Sequence, residues 1–203
     1  MGRIKKTRRF KLKYAVLGEG ITEQWYLNHL KKYKGYIYSI RPSLFADISI
    51  EKAEGIIDEL ISGGCDQITF LTDYDTIVNQ GKKKEFEKLV NKYKNVDGIF
   101  ICDSMPAIEY WFLLHFIYTT KEYLNCDEVI RDLKIHISDY SKKKVYLEKD
   151  KWFKLLIKNN GLDTAISNAK KGLKQYKKGN VGNHFPFSKM AVILEEFEKQ
   201  KKQ

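Results

Sequence analysis

Three short acidic motifs raise the question of chemistry. Glu19 stands between Gly18 and Gly20, with Glu23 four residues on. Asp73 and Asp75 bracket Tyr74, and Asp103 is followed by Ser104 and, past Pro106, by Glu109. Carboxylates are hard oxygen donors, and several around one point repel each other until a cation such as Mg²⁺ (or Mn²⁺) enters, retaining open positions for water and substrate oxygens. Such a cation polarises a phosphoryl oxygen and stabilises a leaving oxygen, the chemistry of phosphodiester cleavage. The expected catalytic residues are Glu19, Asp73 and Asp75. The expected metal ligands are Glu19, Glu23, Asp73 and Asp75, with Asp103, Ser104 and Glu109 at the edge of the site.

The spacings have physical reasons. Alternate residues of an extended chain point the same way, so Asp73 and Asp75 reach one metal while Tyr74 faces elsewhere. Glu23 falls in the first turn of a helix starting near Thr22, which returns its carboxylate towards Glu19. Gly18 and Gly20 allow a tight strand-to-helix turn and close approach of a phosphate to the backbone. Each motif also has a plainer explanation. An isolated Asp-x-Asp is common in solvated turns, and Glu23 suits a helix N-terminus through capping or the dipole. Glu109, Trp111 and His115, at helical spacing among apolar neighbours, suit a core helix with a hydrogen-bonded histidine. His29, His136 and His184 show no ligand spacing. Two acidic motifs after two apolar strands favour a site.

The elements that must position these residues follow from periodicity. Apolar, β-rich runs at residues 14–18, 36–41, 67–72 and 98–102 alternate with helical spacing at 22–34, 50–62 and 82–95. That alternation predicts an α/β fold with a parallel four-stranded sheet flanked by helices. Ligands of such sheets bind at the carboxyl ends of the strands, where all three acidic motifs fall. Beyond Pro106 the pattern turns helical, at 107–118, 121–133, 148–157, 163–176 and 188–201, with a loop by composition at 179–186. The expected organisation is a basic arm (1–13), an α/β core (14–118) and a helical extension packed on it (119–203).

Composition narrows the function classes. The formal net charge is +11, which fits a polyanionic partner, because Lys and Arg that neutralise phosphates release condensed counterions. Arg3, Lys5, Lys6, Arg8, Arg9, Lys11 and Lys13 are the expected nucleic-acid contacts. The triplets Lys82-Lys83-Lys84 and Lys142-Lys143-Lys144 read as solvated helix faces. Three cysteines, Cys65, Cys102 and Cys126, without C-x-x-C spacing give neither a disulfide framework nor a thiolate zinc site. The longest apolar stretch, 110–118, is about half a membrane span, and no secretory signal pattern is present, so a cytoplasmic protein with no membrane partner is expected.

Three blocks carry a family resemblance. Glu19-Gly20-Ile21-Thr22-Glu23-Gln24-Trp25-Tyr26 is similar to the E-G-x-T-E-x-x-Y signature of the RloB-like family, and Asp73-Tyr74-Asp75 occupies the place of its D-x-D. Ser104-Met105-Pro106 through His115-Phe116 resembles its S-x-P-x-x-E-x-W-x-L-L-H-F block, and Phe185-Pro186-Phe187-Ser188 its closing element. The resemblance spans roughly residues 10 to 200. It implies a Toprim-like core and a setting beside bacterial restriction and phage-defence genes, with a nearby ATPase or other defence protein as a partner. It also implies Mg²⁺ ligation by Asp73 and Asp75, with Glu19 as general acid, general base or ligand. Glu23 would match the additional acid of OLD-type nucleases. Ala107 stands where many relatives carry cysteine, which argues against a catalytic thiol there.

The resulting expectation is a Mg²⁺-dependent nuclease of a bacterial defence system. Two alternatives stay open. One is a non-catalytic Toprim-like module that binds nucleic acid or a partner. The other is a haloacid-dehalogenase-like phosphatase, because Asp73-Tyr74-Asp75-Thr76 fits D-x-D-x-T with Asp73 as nucleophile. That family carries its motif on the first strand and needs a later acidic pair not found in this sequence.

Overall fold

A computed structural model describes residues 12–43, 48–179, 181–182 and 184–201. Strand β1 (Tyr14–Gly18) is buried along its whole length, as a strand covered on both faces must be. Helix α1 (Ile21–Lys34) follows and ends at Gly35, whose φ of 68° supplies the left-handed turn. A short strand β2 (Ser39–Ile40), helix α2 (Ile50–Ser62) and strand β3 (Gln67–Asp73) come next. Ser49 caps α2 by accepting the Lys52 N–H at 3.3 Å. Helices α3 (Tyr74–Asn79) and α4 (Lys83–Tyr93) lead to strand β4 (Ile99–Met105).

The remaining elements are α5 (Ile108–Leu113), α6 (Cys126–Leu133), α7 (Lys144–Leu147), α8 (Lys151–Ile157), a 3₁₀ turn at Lys158–Asn160, α9 (Gly161–Lys177), β5 (Phe187–Ser188) and α10 (Met190–Gln200). The sheet order is β2-β1-β3-β4-β5. The first four strands run parallel and β5 runs antiparallel to β4. The sheet therefore has five strands where four are expected. The fifth was hidden because two residues next to Pro186 give no alternating pattern, and the expected helix at 188–201 begins only at Met190.

Several other boundaries differ for identifiable reasons. The run at 36–41 pairs only at Ser39 and Ile40, because Tyr36 and Tyr38 bury their rings against Phe197 at 5.4 and 4.6 Å. The expected helix 107–118 stops at Leu113, since a segment buried on every side has no periodic face to mark its end. The expected helix at 121–133 begins only at Cys126, where the Asn125 side chain accepts the Glu128 N–H. Residues 148–157 form α8 only from Lys151, and α7 precedes it. Leu17, Phe70, Trp111, Trp152 and Phe197 belong to one core cluster, so segments from both halves of the chain share it. Among the described residues no helix is long and apolar enough to cross a membrane.

Gly98, which precedes β4, has φ of 80°, and a Cβ there would run into the Asp66 carbonyl. Gly98→Ala is expected to cost about 2 kcal/mol through strain and this clash. A denaturant titration checks it, and an unchanged midpoint would show that the turn relaxes freely.

Candidate functional site

The pairing register brings the acidic motifs together. Gly18 pairs with Leu71, so Glu19 follows opposite Thr72, and the Thr72 hydroxyl donates to Oε1 of Glu19. The carboxylate also accepts the Asp73 N–H. Asp73 closes β3 and pairs with Ser104 of β4. Its Oδ1 accepts the Ile108 N–H at 2.8 Å, so it caps α5, whose own preceding residue, Ala107, has no capping side chain. The Asp75 N–H donates to the Pro106 carbonyl at 3.1 Å.

Glu23 is the third residue of α1 and is 4% exposed. Its carboxylate folds back onto its own N–H and that of Gly20, the acidic half of a capping box whose first residue here lacks a side chain. Gly20 is in extended backbone, so its smallness serves space rather than dihedral freedom. A Cβ there would lie 3.1 Å from Oε2 of Glu23.

Glu19, Glu23 and Asp73 line one cleft of about 400 Å³ together with Gly20, Thr22 and Lys142. Burial first raises the Glu19 carboxyl to about 7; the Thr72 hydroxyl opposes this, and the charges of Glu23 and Asp75 add to it. Glu23 is likewise raised to about 7, by burial and then by the charge of Glu109, with its two backbone N–H bonds and Lys142 pulling it down. Asp73 is held well above the usual carboxylate range by burial and by Glu23 and Glu109. The site thus disfavours its own negative charge, a condition that an added cation relieves.

Asp75 sits differently from the expectation. The strand ends at Asp73 and α3 begins at Tyr74, so the extended-chain argument for parallel carboxylates does not apply. Asp75 is 8% exposed in the first turn of α3. Burial raises its pKa against N–H bonds from Thr76 and Cys126, the Thr76 hydroxyl and the charge of Lys142. Tyr74 does face elsewhere, 5.9 Å from Phe86 and 6.3 Å from Phe187.

The edge residues divide. Asp103 and Ser104 lie within β4 rather than after it. Asp103 is bound by Lys189 Nζ and is not among the residues lining the cleft. Ser104 shares a hydrogen bond with Ser188 at 2.8 Å, joining β4 to β5. Glu109 has no solvent exposure and accepts from the Tyr140 hydroxyl at 3.0 Å and Cys126 Sγ at 3.1 Å. Lys142 Nζ lies 3.2 Å from Oε1, the oxygen that Tyr140 also reaches. This makes Lys142 part of the cleft rather than the solvated face that its lysine triplet suggests. Nothing local in the sequence marks it, nor does anything mark Tyr140 or Cys126.

Other motif residues hold the core. Trp111 Nε1 donates to the Tyr26 hydroxyl at 2.7 Å, so two sequence blocks lock each other. His115 Nδ1 donates to the Leu156 carbonyl at 2.9 Å, and burial lowers its pKa to about 3. Lys13 lies at the start of β1, away from the carboxyl ends, with its ammonium 3.1 Å from the Gly63 carbonyl. Arg3, Lys5, Lys6, Arg8, Arg9 and Lys11 lie outside the described residues.

For a divalent cation the donor chemistry fits: three hard carboxylates line one cleft, and the buried Thr22 Oγ1 has no hydrogen-bond partner. The geometry is not preset, because among the described residues no three His, Cys, Asp or Glu side chains form a ready metal cluster. No curated protein and no solved structure matches the chain. The RloB-like protein family matches residues 14–197, most of the chain, and the chain belongs to that family.

Proposed function

We propose that the protein is a Mg²⁺-dependent nuclease of a bacterial defence system, built on a Toprim-like core at residues 14–118 with a helical extension. The carrying observation is that Glu19, Glu23 and Asp73, from the ends of two neighbouring strands and a helix start, line one cleft at the carboxyl edge of the sheet. Glu19, Glu23, Asp73 and Asp75 would hold Mg²⁺ or Mn²⁺, which when bound polarises the scissile phosphate and stabilises the leaving oxygen. Glu19, with its carboxyl raised to about 7, can hold or release a proton at neutral pH, as a general acid or base must. Asp73 stays fixed through its bond to the α5 backbone. The net charge of +11 favours a nucleic-acid partner, with the basic arm as its contact. The family setting adds an ATPase or other defence protein encoded nearby. The phosphatase alternative leaves the convergence of Glu19 and Glu23 on Asp73 without a purpose.

A second reading, a non-catalytic module, is favoured by a different observation. Asp73 and Glu23 both do structural work at helix starts, and no metal cluster is pre-assembled among the described residues. Titrating Mg²⁺ and Mn²⁺ against a panel of single- and double-stranded DNA and RNA separates the two. Metal-dependent cutting of any polymer supports the nuclease. Binding without cutting at every metal concentration supports the module.

A further inference from the structure

The cleft carries its own cation. Among the described residues its charged lining consists of the carboxylates of Glu19, Glu23 and Asp73 and the ammonium of Lys142. Lys142 lies between α6 and α7, with Nζ 3.2 Å from Oε1 of Glu109 and 3.6 Å from Cys126 Sγ. The Glu109 side chain has 0% exposure and that of Lys142 has 47%. The lysine therefore reaches from open solvent, past the cleft, to a carboxylate behind its wall. A buried carboxylate needs hydrogen bonds and a paired charge, and Glu109 already has two donors in Tyr140 and Cys126. Lys142 supplies the paired charge, and from the same position it also acts on Asp73 and Glu23.

We propose that Lys142 is a tethered cation of this cleft, neutralising its carboxylates in the metal-free protein and competing there with an incoming divalent ion. The inference rests on the reading of the cleft as a divalent-cation site. Two cations in one poorly solvated cleft repel strongly, so an entering ion drives the ammonium outward. A flexible four-carbon stem that is already half in solvent permits this movement. Lys142 is thus a positioning residue that sets metal affinity, and it holds the carboxylates in place until the ion arrives.

Calorimetric titration of the full chain with Mn²⁺ alone tests the idea on wild type, Lys142→Gln, Lys142→Arg and Asp73→Asn. Lys142→Gln keeps a donor for Glu109 but removes the charge, and is expected to bind Mn²⁺ on the order of tenfold tighter. Lys142→Arg is expected to match wild type. Wild-type binding that Asp73→Asn loses, together with equal or weaker binding by Lys142→Gln, overturns the lysine's role and leaves the metal site standing. Absence of Mn²⁺ binding in both wild type and Lys142→Gln overturns both. A second measurement needs no variant: the rate at which an amine-reactive reagent labels Lys142, read by peptide mass spectrometry. Labelling is expected to rise about threefold when Mn²⁺ is added, as the ammonium leaves Glu109. Unchanged labelling under conditions where Mn²⁺ binds overturns the proposal.

Discussion

Asp73→Asn is expected to lower metal-dependent strand cleavage by about 10²- to 10³-fold, the usual effect of removing one electrostatic group from a preorganised site, while the fold persists. Asparagine keeps an Oδ1 that accepts the Ile108 N–H, so the start of α5 retains its cap. It also removes a charge that burial, Glu23 and Glu109 all oppose. The metal-free variant should therefore melt at or above the wild-type temperature at pH 7.5. Cleavage kinetics and calorimetry in chelator read the two effects separately. Full activity in a folded Asp73→Asn protein would reduce Asp73 to a helix cap, and a large loss of stability would show that its charge, not its shape, holds α5.

The second large effect is on stability against pH in the absence of metal. Glu19 and Glu23 are raised from 4.5 to about 7, so between these values the folded state binds more protons than the unfolded one. The stability they contribute is complete below 4.5 and is lost as pH rises through 7. His115 works in the opposite direction. Lowered from 6.5 to about 3, it favours the folded state above its unfolded value and withdraws that support as the solution is acidified. The carboxylate effect outweighs this above pH 6.5, where only the residual charge on the unfolded His115 and His29, both lowered in the fold, remains to oppose it, by at most about 0.4 kcal/mol each. From pH 6.5 to 8 the metal-free protein should lose about 1–2 kcal/mol, equivalent to a fall of about 2–8 °C in melting temperature for a chain of this size. Saturating Mg²⁺ binds the ionised carboxylates and should flatten the slope. A slope that is flat or rising without metal would mean that the cleft tolerates its own charge.

The sequence by itself determined which residues could do chemistry and which ends of which strands would carry them. Short, β-rich apolar runs at residues 14–18 and 67–72 read as buried strands, and a parallel sheet gathers their carboxyl ends on one edge, so Glu19 and Asp73 were readable as neighbours. Helix α2, with its serine cap and amphipathic spacing, was legible to the residue. Where a segment lacked a periodic face, as in α5, or paired over only two residues, as in β2, the element was legible but its extent was not, and β5, two residues beside a proline, gave no local signal. Tertiary structure alone decided the roles within the acidic set. Asp75 went into a helical turn, Asp103 to Lys189, and Glu109 behind the cleft wall to Tyr140, Cys126 and Lys142. The physical reason is that a carboxylate's behaviour depends on which charges and donors surround it and on how much water is excluded, and those partners come from distant parts of the chain. Lys142 shows this most plainly, because within its lysine triplet nothing but the path of the backbone distinguishes it from Lys143 and Lys144.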